Sequence, residues 1–149
     1  MRFPYRAYEV APTPASPAPE GLIYRPVIPF ALLGPAGVLD FFGLLDTGAD
    51  ETYITRNMAE RLGLTFDETP SHIIESAGGE VAVTYAQVTI EVTDRVDHFL
   101  WPATVGVTDQ EWIEAILGHG GFLEYFDVLF RSDVHDLILS RNGSILPND

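Results

Sequence analysis

The most informative stretch of this chain is Leu44–Asp50, which reads Leu-Leu-Asp-Thr-Gly-Ala-Asp. Its Asp46 directly follows an apolar run that predicts a strand, and Gly48 lets the backbone pass close to the carboxylate. An ordinary turn is the alternative interpretation, because Asp and Gly are common turn residues. The surrounding sequence favours a functional loop, since a glycine-tipped hairpin and an apolar-apolar-Gly triplet follow it along the chain.

The residues before this stretch predict a β-hairpin that ends at Asp46. Tyr24–Leu33 and Val38–Leu45 are β-prone apolar runs, and the sequence GPAG at 34–37 supplies Pro and Gly where a turn needs them. The region is apolar enough to suggest a membrane helix. Its prolines, its glycines and Asp40 favour the hairpin instead.

The residues after the stretch predict a second hairpin with a mobile tip. His72–Glu75 and Val81–Val92 read as strands around the sequence SAGGE at 76–80, whose glycines can adopt positive φ. The alternation of apolar residues in the second strand changes phase near Ala86 and Gln87. That change predicts a bulge or bend at this point.

The rest of the chain predicts short strands and short helices, so the fold class is mainly β with two short helices. Further strands are expected at Thr52–Ile54, Phe99–Val107, Val128–Phe130 and Leu137–Leu139, and helical segments at Arg56–Leu62, Asp109–Ala115 and Phe122–Phe126. We expect one folded domain over residues 22–142. Residues 1–21, which contain a Pro- and Ala-rich run, would form an N-terminal extension, and residues 143–149 a C-terminal tail.

Composition narrows the class of function. The chain has 149 residues, of which 46% are hydrophobic, which suits one domain with one active site. Its net charge of −14, from 22 acidic and 8 basic residues, argues against a nucleic-acid partner. The sequence contains no cysteine, so it offers no thiolate nucleophile and no disulfide. The N-terminus lacks the apolar core of a secretory signal, which makes a cytoplasmic location the expectation.

Over roughly Leu22–Arg141 the sequence resembles the retropepsin family, the retroviral-type aspartic peptidases and their cellular and bacterial relatives. The matching features are the loop Asp46–Asp50, the flap-like segment Ile74–Glu80 and the triplet Ile116–Gly118. The resemblance implies a single-domain, closed β-barrel with a flap hairpin. It also implies a homodimer whose active site lies on the two-fold axis, with one Asp from each subunit.

The resemblance assigns roles to individual residues. The catalytic residues would be Asp46, Thr47 and Gly48, and the substrate-binding residues Ala49, Asp50, Ser76, Ala77, Gly78 and Gly79. Thr47 would hydrogen-bond across the two-fold axis and hold the pair of carboxylates rigid. The flap glycines would let the hairpin close over an extended peptide and exclude water.

One position departs from the family pattern. Many relatives carry Arg directly after the glycine that corresponds to Gly118, and this Arg pairs with the Asp at the position of Asp50. This chain has His119 there, so a titratable group would replace a permanent cation. The other histidines lack the spacing of metal ligands and are expected to be structural. Trp101 and Trp112 are expected to pack in the core or an interface rather than to form a binding platform.

These features predict an aspartic endopeptidase that needs no metal and no organic cofactor and acts on peptide or protein substrates, without a membrane partner. Two carboxylates that share one proton can activate water and protonate the carbonyl oxygen together, which one Asp cannot do. A non-catalytic dimerisation or peptide-binding domain is the alternative. A metal-dependent hydrolase that uses Asp46, Asp50, Glu51 and a histidine fits less well, because no close His pair supports it.

Overall fold

A computed structural model gives the fold of the protein and describes residues 1–16, 21–112 and 114–144. Strands make up most of the ordered elements, as the sequence predicts. They are β1 (Arg2–Pro4), β2 (Arg6–Glu9), β3 (Leu22–Arg25), β4 (Val27–Gly34), β5 (Gly37–Leu45), β6 (Tyr53–Thr55), β7 (His72–Ser76), β8 (Gly79–Thr93), β9 (His98–Thr108), β10 (Ala115–Leu117), β11 (Phe126–Arg131) and β12 (Asp136–Arg141). The helices are α1 (Arg56–Arg61) and a 3-10 turn at Leu123–Tyr125.

The largest sheet closes on itself. Its seven strands follow the order β4-β5-β10-β6-β9-β8-β7, and β4 also pairs with β8. That extra pairing joins the first strand to the sixth, so six strands form a ring and β7 stands outside it. The strands β1, β12 and β11 form a second sheet, and β2 pairs with β3. Both predicted hairpins are present, as β4–β5 and β7–β8.

An aromatic group fills the core inside the closed sheet. Trp101 on β9 is fully buried, and its ring centroid lies 5.6 Å from those of Phe122 and Phe126. The indole Nε1–H donates to the Gly121 carbonyl at 2.9 Å, so the one polar atom of the side chain is satisfied. The predicted packing role of Trp101 is confirmed, and it fixes the segment that follows β10.

The predicted bulge in β8 is wrong. This strand pairs with β9 in an unbroken antiparallel register through Ala86 and Gln87. The apolar pattern changes phase because the first part of the strand buries its odd-numbered residues and the later part buries its even-numbered residues. Val81 and Val83 pack in a small cluster with Tyr53, whereas the even-numbered residues from 86 onward face the main core. The pattern therefore marks the point where β8 leaves the flap and joins the closed sheet.

Of the two predicted short helices, one forms as an α-helix and the other as a 3-10 turn, while the predicted helical turn at Asp109–Ala115 is absent from its described residues. Helix α1 matches its prediction and starts at Thr55, whose Oγ1 accepts a hydrogen bond from the Met58 N–H. Residues 109–112 and 114 contain no helix, while residue 113 lies outside the described residues. So short a segment has little helical stability of its own. Phe122–Phe126 forms only the 3-10 turn, because β11 begins at Phe126 and pairs there with β12.

The first strands lie within the segment assigned to an N-terminal extension. Phe3 on β1 is only 4% exposed and belongs to the core cluster. The buried carboxylate of Asp136 on β12 accepts hydrogen bonds from Arg131 at 2.7 Å and from Arg2 at 2.6 Å. Arg131, assisted by Arg2, lowers the pKa of Asp136 despite its desolvation. Among the described residues, no helix has the length and apolar character needed to cross a membrane.

Candidate active site

The end of β5 presents Asp46 in a tight, hydrogen-bonded turn. The Asp46 N–H donates to the Leu117 carbonyl at 3.2 Å, and the Ala49 N–H donates to the Asp46 carbonyl at 3.2 Å. The Gly48 N–H donates to Asp46 Oδ1 at 2.9 Å. A backbone donor thus orients the carboxylate, which is partly exposed. A side chain held this way does not have to be ordered again when a substrate binds.

A second loop, which follows β10, is hydrogen-bonded to the Asp46 turn. Strand β10 runs parallel to β5, and the chain after it crosses under the Asp46 loop. The His119 N–H donates to the Ala49 carbonyl at 2.9 Å, and the Gly120 N–H donates to the Asp50 carbonyl at 2.8 Å. These bonds join two segments that are about seventy residues apart in sequence. The resulting unit is a rigid floor beneath the carboxylate.

Gly118 is required where the two loops cross. A Cβ atom at this position would lie 2.0 Å from the Glu51 carbonyl oxygen and 2.8 Å from the Ala49 carbonyl oxygen. Both are backbone atoms, so no side chain can turn away to relieve the contact. Only glycine lets the loops approach this closely.

Gly118→Ala should therefore destabilise the protein by at least about 2–3 kcal/mol, or prevent folding, because the overpacked atoms belong to a hydrogen-bonded backbone. Chemical denaturation gives the measurement. Gly143→Ala is the matched control, since a Cβ there would meet no atom within 4 Å. A Gly118→Ala variant with the same denaturation midpoint as the wild type and Gly143→Ala would contradict the close approach of the two loops.

The β7–β8 hairpin, which we call the flap, stands opposite the Asp46 loop. Its turn pairs Ser76 with Gly79, and Gly79 has a φ of +110°. The Ser76 hydroxyl donates to the Gly79 carbonyl at 3.0 Å and accepts from the Gly78 N–H at 3.2 Å. The tip is exposed and makes these contacts only within itself, so its position over the loop depends on the base of the hairpin.

A cleft of about 840 Å³ lies between the loop and the flap. It brings together most of the predicted site residues. These are Asp46, Gly48, Ala49 and Asp50 from the loop, and Ser76, Ala77 and Gly78 from the flap. Thr47 is exposed outside the cleft lining, and Gly79 also does not line it. Two segments separated by about thirty residues in sequence thus form one concave site, as expected of a binding cleft.

The cleft is also lined by residues that the predicted site did not include. Its further lining residues are Tyr53, Ile73, Ile74, Glu75, Trp112 and Ile116. Trp112, for which core or interface packing was predicted, is half-buried here with its ring at the cleft. Ile116 reaches the site because β10 pairs with β5 next to the Asp46 loop. No local pattern indicates that pairing. Ile74, Glu75 and Ile116 stood in the segments that carry the family resemblance, whereas Tyr53 and Ile73 had no predicted role.

The side chain of His119 is exposed, and within the described ranges it forms no ion pair with Asp50. Its backbone, rather than its imidazole, secures the loop. The other histidines are exposed as well: His98 contacts Glu91 at 2.7 Å, and His135 stacks on Tyr24 at 3.9 Å. In the part of the chain that the structure describes, no group of three or more His, Asp or Glu side chains could hold a metal ion.

Comparison with known proteins points to one family. The sequence model of the family described as "Aspartyl protease" matches residues 36–119, which include the Asp46 loop, the flap and β10. Among solved structures, the chain is similar to EIAV protease complexed with the inhibitor HBY-793, at 26% identity and a TM-score of 0.49, with 64% of this chain and 82% of that chain covered. It is also similar to a retropepsin-like aspartic protease from Rickettsia conorii, at 24% identity and a TM-score of 0.47, with coverages of 82% and 92%. A search of curated proteins gave no match.

Proposed function

The chain belongs to the aspartyl protease family. We propose that it is an endopeptidase that cleaves extended peptides with water activated at Asp46. The observation that carries the proposal is the cleft itself. A carboxylate held by a backbone N–H lies on its floor, and a hairpin stands opposite. A cleft of this shape, open at the flap, suits an extended chain better than a compact metabolite.

The chemistry requires two carboxylates. An ionised Asp takes a proton from water while a protonated Asp donates one to the peptide carbonyl, and the attacking oxygen forms a tetrahedral intermediate. Its collapse breaks the C–N bond as the leaving nitrogen accepts a proton. Two acids that share one proton can perform both tasks because repulsion keeps them from ionising together. The sequence contains the Asp-Thr-Gly motif once.

The second carboxylate would therefore come from an identical subunit. A two-fold axis next to the Asp46 loop would bring two copies of the same residue face to face. Thr47, which is exposed on the turn next to Asp46, would hydrogen-bond the partner loop in such an arrangement. Gly48 supplies the backbone donor to the carboxylate.

The walls of the cleft suggest which peptides it accepts. Ile73, Ile74, Trp112 and Ile116 offer apolar surface for side chains beside the cut bond, while Ala49, Asp50 and the flap residues 76–78 would contact the peptide backbone. Besides Asp46, the charged residues of the lining are Asp50 and Glu75, both acidic. Glu75 also lies directly opposite Glu80 in the flap, where two like charges repel each other. Acidic substrate residues should be disfavoured at such a wall.

Digestion of a mixed peptide library tests the function. With product masses as the readout, the intact protein should make internal cuts whose number is unchanged by a chelator, with apolar residues beside the cut and few acidic residues nearby. Loss of cleavage on chelation would instead favour the metal-dependent hydrolase. Binding of the peptides without any cleavage would favour the non-catalytic peptide-binding domain.

A further inference from the structure

The residue that follows the catalytic loop makes a contact that the proposed chemistry does not require. Glu51 Oε2 accepts hydrogen bonds from the Tyr85 hydroxyl at 2.9 Å and from the Tyr53 hydroxyl at 3.3 Å. The three side chains are partly buried together. Hydrogen bonds to a carboxylate acceptor are stronger than neutral ones, so this is a firm connection between the segment of Glu51 and Tyr53 and the strand of Tyr85.

One end of this connection is part of the rigid floor. The backbone of Glu51 forms a parallel bridge with Gly120, and its carbonyl lies in the tight crossing with Gly118. The carboxylate of Glu51 is therefore carried by backbone that has little freedom to move. Whatever it binds is held in a defined position relative to Asp46.

The other end reaches the base of the flap. Tyr85 lies on β8 two residues after Val83, whose carbonyl accepts from the Ser71 N–H at 3.0 Å where the flap begins. The ring of Tyr85 also meets His72, the first residue of β7, edge-on at 6.2 Å. Tyr85 thus belongs to one strand of the flap and contacts the other at the point where the hairpin leaves the closed sheet.

Both phenols remain donors over a wide pH range. Burial, reinforced by Glu51, raises the pKa of Tyr53 and the pKa of Tyr85. Each hydroxyl then keeps its proton and directs it at the carboxylate. The connection does not depend on the protonation steps of the proposed reaction.

We infer that Glu51 is a positioning residue that connects the Asp46 loop to the base of the flap through its hydrogen bond with the Tyr85 hydroxyl. This connection sets the distance between the flap and a bound peptide. The inference rests on the proposed peptidase function. Binding energy gained under a well-placed flap is shared by substrate and transition state, so its loss should appear mainly in KM. Asp46 keeps its own backbone bonds, which leaves kcat largely intact.

Tyr85→Phe removes the hydroxyl and keeps the ring packing. It should raise KM about tenfold and change kcat less than about threefold, as expected for loss of one charge-assisted hydrogen bond. Glu51→Gln should act in the same direction, and the double variant should be little worse than Tyr85→Phe, because both changes break one connection. The control is Tyr8→Phe, which loses a matched phenol–carboxylate hydrogen bond to Glu114 outside the cleft lining and should leave KM unchanged.

Amide hydrogen exchange in the flap provides a readout that is independent of activity. Exchange over residues 72–83 should quicken about tenfold in Tyr85→Phe and in Glu51→Gln, and stay at the wild-type rate in Tyr8→Phe. Unchanged flap exchange in Tyr85→Phe, or additive effects in the double variant, would overturn the inference. If the wild type cleaves no peptide, only the proposed function is refuted. The exchange experiment would still decide whether Glu51 fixes the position of the flap.

Discussion

Asp46→Asn should reduce kcat/KM by at least about 10³-fold, the scale of effect expected when a general acid–base pair is lost. The amide cannot take a proton from water or share one with a second carboxylate. Its Oδ1 can still accept the Gly48 N–H, so the turn and the cleft should keep their geometry. The variant should therefore fold with a denaturation midpoint close to that of the wild type.

Asp40→Asn provides the matched control for this experiment. Asp40 lies on the same strand, β5, and is exposed outside the cleft. The same chemical change there removes one negative charge without touching the site, so kcat/KM should remain within about twofold of wild type. Cleavage by Asp46→Asn at the wild-type rate would refute the assignment of Asp46 as the catalytic acid–base.

Activity should also disappear when the protein is diluted below its dimer dissociation constant. One chain supplies one Asp-Thr-Gly motif, so an isolated subunit would hold one catalytic carboxylate and lack its partner. Specific activity should fall in step with the loss of the dimer, which analytical ultracentrifugation measures at the same concentrations. A sedimenting monomer with full activity per chain would contradict the shared site.

Subunit mixing tests the same point at constant total protein. After exchange with a tenfold excess of Asp46→Asn, the activity per wild-type chain should drop to roughly a tenth, because most wild-type subunits then sit in mixed dimers. An equal excess of Asp40→Asn should leave the activity per active chain unchanged. Full activity in the presence of excess Asp46→Asn would mean that each subunit works alone.

Local sequence signals were sufficient for the elements that depend on neighbours in the chain. The turn at 34–37 and the glycines at the flap tip predicted both hairpins, because turn chemistry and strand alternation act over a few residues. Helix α1 was predicted from apolar residues at helical spacing, which is also a local signal, and the structure adds Thr55 as its N-cap. The resemblance carried by Asp46–Asp50 is confirmed at the level of the aspartyl protease family.

Predictions failed where distant segments compete for a residue. The phase change in β8 suggested a bulge, but it reflects burial of Val81 and Val83 against Tyr53, which belongs to another strand. The predicted helical turn after β9 does not form in its described residues; Trp112 within it packs against the small cluster as predicted, but it also lines the cleft. Periodicity within one segment cannot show which partner will bury it.

The sequence by itself determined that Asp46 follows a strand in a turn with Gly48, and that a glycine-tipped hairpin comes later in the chain. Those are properties of adjacent residues. Only the tertiary structure decided that Gly118 must pass within van der Waals contact of the Glu51 backbone, and that the Glu51 carboxylate reaches Tyr85, 34 residues away. Hydrogen bonds and close approaches between distant segments exist only once the sheet has closed, so no local pattern encodes them.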